Sequence, residues 1–216
     1  MQKINIILAP DQHIYLTSDM HFGHRNVIRF CNRPFADEKE MCKILIDNWN
    51  SVVKPNDFVF NLGDFSWWTG RHEVKKLVEH LKGKKYFIPG NHCKEGMYEL
   101  VDDPDFHECN DIVVLYVRGQ EDDPRFVDNK VYEIILCHYP LTCWSHSNFT
   151  NCFQFFGHIH SKAGMPLVEF GEEIPIKPRK QMDVGVDRWN YKPIDLFDAI
   201  KAAKAYPTNS LTSDDL

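Results

Sequence analysis

The sequence lacks any apolar run long enough to span a membrane. It also lacks an excess of positive charge: 25 Lys and Arg stand against 31 Asp and Glu, a net charge of −6. That balance argues against a broad electropositive surface for long nucleic acids and leaves only short ends open. Seven cysteines form no Cys-x-x-Cys pair, and their number is odd. A zinc-finger or disulfide framework is thereby disfavoured, and free, mostly buried thiols in a reducing cytoplasm are the plain reading. No repeat or low-complexity segment is present. The apolar opening from Met1 to Pro10 is short for a signal peptide and has no convincing cleavage site after it, so it reads as a leading strand.

What is present is a series of short motifs, each at the end of an apolar run. Ile14–Thr17 leads to Asp19-Met20-His21, and Phe58–Leu62 leads to Gly63-Asp64. Tyr86–Ile88 leads to Gly90-Asn91-His92, Glu133–Cys137 to His138, and Phe153–Phe156 to Gly157-His158-Ile159-His160. Runs of this kind read as buried strands, and ligand sites of α/β proteins gather beyond the carboxyl ends of strands. If extended geometry continues past the strand ends, Asp19 and His21 share a face, as do His158 and His160. Glycines at 63, 90 and 157 permit the tight turns and close backbone approach that such a site needs.

The rest of the chain gives the architecture. Helical spacing of Met41, Ile44, Leu45 and Trp49 predicts a helix over 37–50, and Val74, Leu77, Val78 and Leu81 predict another over 70–82, stopped by Gly83. Alternating strands and helices favour an α/β fold. The second half predicts a long hairpin from 112–117 and 130–137, a pair of strand fragments within 168–177, and a last strand over 182–186. Asp195 is placed to cap a C-terminal helix over 196–205. One domain over 1–205 is expected, with a frayed tail over 206–216.

Each motif alone has an ordinary reading. Asp19, His21 and Asp64 could be turn residues, and His138 a locally satisfied histidine; only the ordered ensemble favours metal ligation. His24, Asn26 and Arg33 read equally well as phosphate contacts or as a helix start and a structural salt bridge. Trp67, Trp68 and Trp144 are more readily packing than a stacking wall for an aromatic group. Cys137 reads as core rather than nucleophile.

With these motifs in hand, the chain resembles the calcineurin-like metallophosphoesterase superfamily, and the match runs from Asp19 to His160. The extended form Ser18-Asp19-Met20-His21-Phe22-Gly23-His24, with Asn32-Arg33-Pro34-Phe35 and 186–193 downstream, is similar to a small bacterial and phage-type subgroup. The resemblance implies a calcineurin-like four-layer sandwich: two packed mixed β-sheets flanked by helices. It implies two divalent metal ions, with Asp19, His21 and His160 holding the first, Asn91, His138 and His158 the second, and Asp64 bridging. His92 would face the substrate phosphate as a catalytic group beside Asp64. Such a donor set suits Mn²⁺, with Fe or Zn²⁺ as alternatives. Two such ions polarise phosphoryl oxygens and generate a hydroxide for in-line attack. Two departures stand out. Cys93 follows His92 where many members carry an acid. Phe65-Ser66-Trp67 follows Asp64 where protein phosphatases carry Asp-Arg-Gly, which disfavours a phosphoprotein substrate. Small phosphodiesters or nucleotides are the expected substrates. A nuclease for short or single-stranded ends, a phosphomonoesterase or minimal protein phosphatase, and a non-catalytic phosphate-binding module are the alternatives.

Overall fold

The computed structural model describes residues 1–68, 70–93, 96–126, 130–162, 168–169, 172–173 and 180–205. The expected tail over 206–216 lies outside them, as does most of 168–177. No described helix is long and apolar enough to cross a membrane.

Two five-stranded mixed sheets face each other. The first is ordered β1 (Gln2–Leu8), β6 (Ile112–Gly119), β7 (Tyr132–Cys137), β8 (Cys152–Phe156), β11 (Gln181–Asp183). The second is ordered β12 (Ile194–Asp195), β2 (Ile14–Thr17), β3 (Phe58–Asn61), β4 (Lys84–Phe87), β5 (Phe106–Glu108). The predicted hairpin is the antiparallel β6–β7 pair, and β7–β8, β8–β11, β2–β3 and β3–β4 are parallel. Two-residue strands β9 (Val168–Glu169) and β10 (Glu172–Glu173) form a separate antiparallel pair.

Alternation along the strands builds two cores. Leu16, Phe60, Ile88, Leu115, Leu136 and Phe155 point between the sheets. On the opposite face of the second sheet, Val59 and Phe87 meet Leu45 and Trp49 of α2 (Glu38–Val52) and Val74 and Val78 of α3 (Arg71–His80). Asp37 caps α2 by accepting the Glu40 N–H. The short α1 (Arg25–Phe30) adds Val27 to this core. At the other end, α4 (Leu196–Ala205) packs Leu196, Ala199 and Ile200 into the inter-sheet core, and the Asp195 carboxylate accepts the Phe197 N–H at 2.8 Å. The outer face of the first sheet carries a smaller cluster of Val114, Ile135 and Cys152 under Leu141 and Trp144.

The carboxyl ends of β2, β3 and β4 in one sheet, and of β7 and β8 in the other, meet along one edge. Isolated bridges Ser18–Gly185 and Phe22–Ser66 tie the strand extensions together there.

Candidate metal centre

The convergence of the motifs is achieved differently from the extended geometry expected. Asp19, His21, Asp64, His158 and His160 have φ of 57°, 51°, 49°, 73° and 47°. These are left-handed, not extended, so the same-face alternation does not apply; each residue instead turns the chain so that its side chain swings back over the strand ends. A non-glycine residue held there is strained by about 1–3 kcal/mol, which persists only where the surroundings over-determine it. Those surroundings are visible. The Asp19 N–H donates to Gly63 O and the His21 N–H to Asp64 O, at 3.1 and 2.9 Å. The Asp19 carboxylate accepts the His158 N–H, and the Asp64 carboxylate the His92 N–H. Gly157 is required by contact: a Cβ there would collide with Ser18 Oγ and the Asp19 carboxylate.

Asp64 stands at the centre. Its Oδ2 lies 3.7 Å from His21 Nε2, 3.5 Å from His138 Nε2 and 3.9 Å from His92 Nε2. Donor atoms of Asp19, His21 and His160 fall within 4.8 Å of one another, as do those of Asp19, Asp64 and His138. Asn91 Oδ1 draws the second group together, 2.9 Å from His138 Nε2 and 3.0 Å from His158 Nδ1. The structure therefore brings all seven expected ligands to one cluster.

The residues fit divalent metal. His21 Nε2 is buried with no hydrogen-bond partner, an orphaned donor atom aimed at the cluster. Burial, reinforced by His160, holds its imidazole well below the ordinary range, so it stays neutral as a ligand must. His138 donates Nδ1–H to Leu62 O at 2.7 Å, which turns Nε2 toward Asp64. Burial pushes the Asp64 carboxyl up, but His138 and the His92 N–H outweigh it and bring it down to about 2. His160 is pushed up to about 11: burial opposes this, and Asp19 and Asp187 overcome it.

His92 sits over the cluster with its side chain 39% exposed. Cys93 does not take the place of an orienting acid; its thiol accepts the Gly90 N–H at 3.2 Å. Instead the indole of Trp67 packs on His92 at 5.1 Å and stacks on His24 at 4.0 Å and 11°. Trp67 is thus a half-exposed rim residue and not core. Trp68 packs on Phe22, and Trp144 on the outer cluster.

The three proposed substrate contacts separate. His24 lines the cleft and hydrogen-bonds His21 at 3.4 Å between Nδ1 atoms. Asn26 is exposed on α1 and does not line the cleft. Arg33 is the structural salt bridge of its two readings: its guanidinium is buried against Asp187, with both partners' side chains at most 1% exposed. The reason is geometric, because every guanidinium nitrogen already has an acceptor inside the protein. Burial opposes the Asp187 charge, but His160 and Arg33 hold that carboxyl at about 2. Asp187 had been visible only as one residue of a motif, with no role attached. Asp183 was missed as well. It is fully buried, accepts from Ser161 and Gly185, and is pushed up to about 6 by burial and the nearby Asp19 charge.

The cleft over the cluster measures about 400 Å³ and is lined by His24, Val27, Phe30, His92, Ile159 and Lys162 among others. A cluster of imidazoles, carboxylates and one carboxamide at the joint edge of two sheets, under an open cleft, defines a metal-dependent hydrolase. The model of the calcineurin-like phosphoesterases matches residues 12–162, and the chain belongs to that family. Family membership brings divalent metal and phosphoester hydrolysis with it.

Among relatives, the uncharacterized protein MJ1445 of Methanocaldococcus jannaschii is 35% identical over 193 residues, 87% of this chain and 89% of its own. The gene 66 protein of Mycobacterium phage L5 is 35% identical over 81 residues, 36% of this chain and 38% of its own. The crystal structure of AQ665 from Aquifex aeolicus, a protein of unknown function, superposes with a TM-score of 0.57 at 24% identity, covering 89% of this chain and all of that one. It shares the fold.

Proposed function

We propose that the protein is a dinuclear-metal phosphodiesterase acting on small phosphodiesters or nucleotides in the cytoplasm. The observation that carries the dinuclear reading is the position of Asp64 Oδ2, between His21 Nε2 at 3.7 Å and His138 Nε2 at 3.5 Å. One carboxylate flanked by two imidazoles from opposite sheets is the arrangement of a shared ligand. Asp19, His21 and His160 would hold one ion, and Asn91, His138 and His158 the other. Nitrogen and oxygen donors with no thiolate among them suit manganese, with iron or zinc as alternatives. When bound, the ions supply polarisation of the phosphoryl oxygens and activation of a water for in-line attack.

The chain's own groups do the rest. His92, exposed over the cluster, is placed to give a proton to a departing alkoxide. Lys162 adds positive charge to the cleft wall. The half-exposed faces of Trp67 and Phe30, at 45% and 66%, flank His24 and offer stacking for a planar base, which favours nucleotides among small esters. Neither Cys93 nor Cys137 is the nucleophile in this reading: burial raises the pKa of both, away from the thiolate. Seven free cysteines suit a reducing cytoplasm.

The test is a panel of bis-p-nitrophenyl phosphate, p-nitrophenyl phosphate, nucleotides, cyclic nucleotides and short oligonucleotides with the Mn²⁺-loaded protein. Cleavage of the diester and of nucleotides is expected. Hydrolysis of monoesters alone would replace the reading with a phosphatase. Turnover confined to oligonucleotides would make it a nuclease, and none at all a phosphate-binding module.

A further inference from the structure

Arg33 and Asp187, 154 positions apart in the chain, form a buried pair that touches two of the expected ligands of one ion. Asp187 Oδ1 accepts from Arg33 Nε at 2.9 Å, and Oδ2 accepts from Arg33 Nη2 at 2.8 Å and from His160 Nδ1 at 2.8 Å. Arg33 further donates through Nη2 to Asp19 O at 2.7 Å, and through Nη1 to Met20 O at 3.1 Å and Met41 Sδ at 3.5 Å. A guanidinium has five N–H donors. Five acceptors surround this one, and none is solvent or cleft. Asp187 also lies outside the range matched to the family, which ends at residue 162.

We propose that Asp187, held by Arg33, is a positioning residue that presents His160 Nε2 to the metal. A histidine ligates through one nitrogen only if the other carries the proton and has somewhere to put it. With Nδ1–H given to Asp187, the nitrogen left to ligate an ion is Nε2, which faces Asp19 Oδ1 at 3.9 Å. Arg33 keeps Asp187 in one rotamer by a two-pronged contact. The same guanidinium clasps the carbonyls of Asp19 and Met20, where Asp19 is in its left-handed turn. One buried pair thus fixes the backbone of one ligand and the imidazole of another, from opposite ends of the chain. His138 relies on the Leu62 backbone carbonyl for the same service.

The inference rests on the metal-centre reading, and its test reads metal directly, independently of any substrate. The chelated full-length protein, Asp187→Asn and Arg33→Lys are titrated with Mn²⁺ and Zn²⁺ by calorimetry, with thermal midpoints measured in parallel. Wild type should take up two ions. Both variants should keep one at wild-type affinity and hold the other about 10–100-fold more weakly. The double variant should lose no more than the worse single. Unchanged affinity for both ions with a lowered midpoint would reduce the pair to a structural salt bridge and overturn the proposal. Equal weakening of both ions would overturn it too. If a variant fails to fold, nitrogen chemical shifts of the zinc-loaded wild type decide: His160 must be protonated at Nδ1 and metal-bound at Nε2, and the reverse refutes the assignment. A wild type that binds no metal defeats the metal-centre reading itself.

Discussion

The two halves of the metal centre are built to different standards. Around Asp19 and His21 the side chains are buried, the backbone is clasped by Arg33, and Asp187 sits behind His160. Around Asn91 and His92 the chain follows a short exposed turn, and His158 leans on Asn91 across the gap. On the proposed dinuclear reading the closed half would hold an ion at the base of the cleft, and the open half would receive substrate and release the leaving group. Rigidity on one side and access on the other follow from which sheet edge is covered by packed elements and which by a loop.

The largest break in the comparison comes from the residue common to both halves. Asp64→Asn removes the charge between His21 and His138, and it should abolish turnover and reduce the bound metal together. Metal analysis of the purified variant alongside diesterase assay checks this; full activity with both ions retained would show that Asp64 is not shared.

A smaller, one-sided effect is expected from His92→Ala. Both ions should stay, because the hydrogen bond from His92 to the Asp64 carboxylate is given by its backbone N–H, which the substitution keeps. Activity on alkyl esters should fall about 10²–10⁴-fold, the range of a positioned acid. Nitrophenyl esters should lose much less, since that leaving group departs without a proton. Equal losses would assign His92 to charge stabilisation of the phosphoryl oxygens.

The smallest effect sharpens the closed half by pH. Asp183, pushed up to about 6 by burial and Asp19, binds a proton in the folded chain over a range where the unfolded carboxyl, near 3.9, does not. Stability should therefore be highest below about pH 4 for this group and decline as pH rises to about 6, by on the order of 2–3 kcal/mol. Asp183→Asn should flatten that component in the chelated protein. Thermal midpoints of both proteins across pH 4–7 give the difference directly, and parallel curves would exclude the effect.

Much of this was legible in sequence because strands announce themselves. Every run expected to carry a motif is a strand within a residue or two, and each motif lies at its carboxyl end. Helices α2 and α3 followed from apolar spacing. What was not legible is long-range and geometric. Nothing local in Asn32-Arg33-Pro34 says that its arginine will be sealed against an aspartate 154 positions away, so a substrate role looked as good as a structural one. Left-handed backbone at Asp19, His21, Asp64 and His158 is held by hydrogen bonds between motifs, which no single motif contains. The two-residue β12 and three-residue β5 are too short to show alternation, and they exist because a neighbouring strand offers a ladder.

Those left-handed turns bear on when the protein can acquire its ions. A disordered chain seldom visits that region at one non-glycine residue, and coincidence at five is rarer still. The cluster is then expected to form with the fold, so that metal would meet folded molecules instead of recruiting unfolded ones. A ligand of that kind stabilises by mass action alone, by about 4 kcal/mol at a thousandfold excess over its dissociation constant. Chelation should loosen the molecule reversibly while its sheets persist, and the melting temperature should climb with metal concentration.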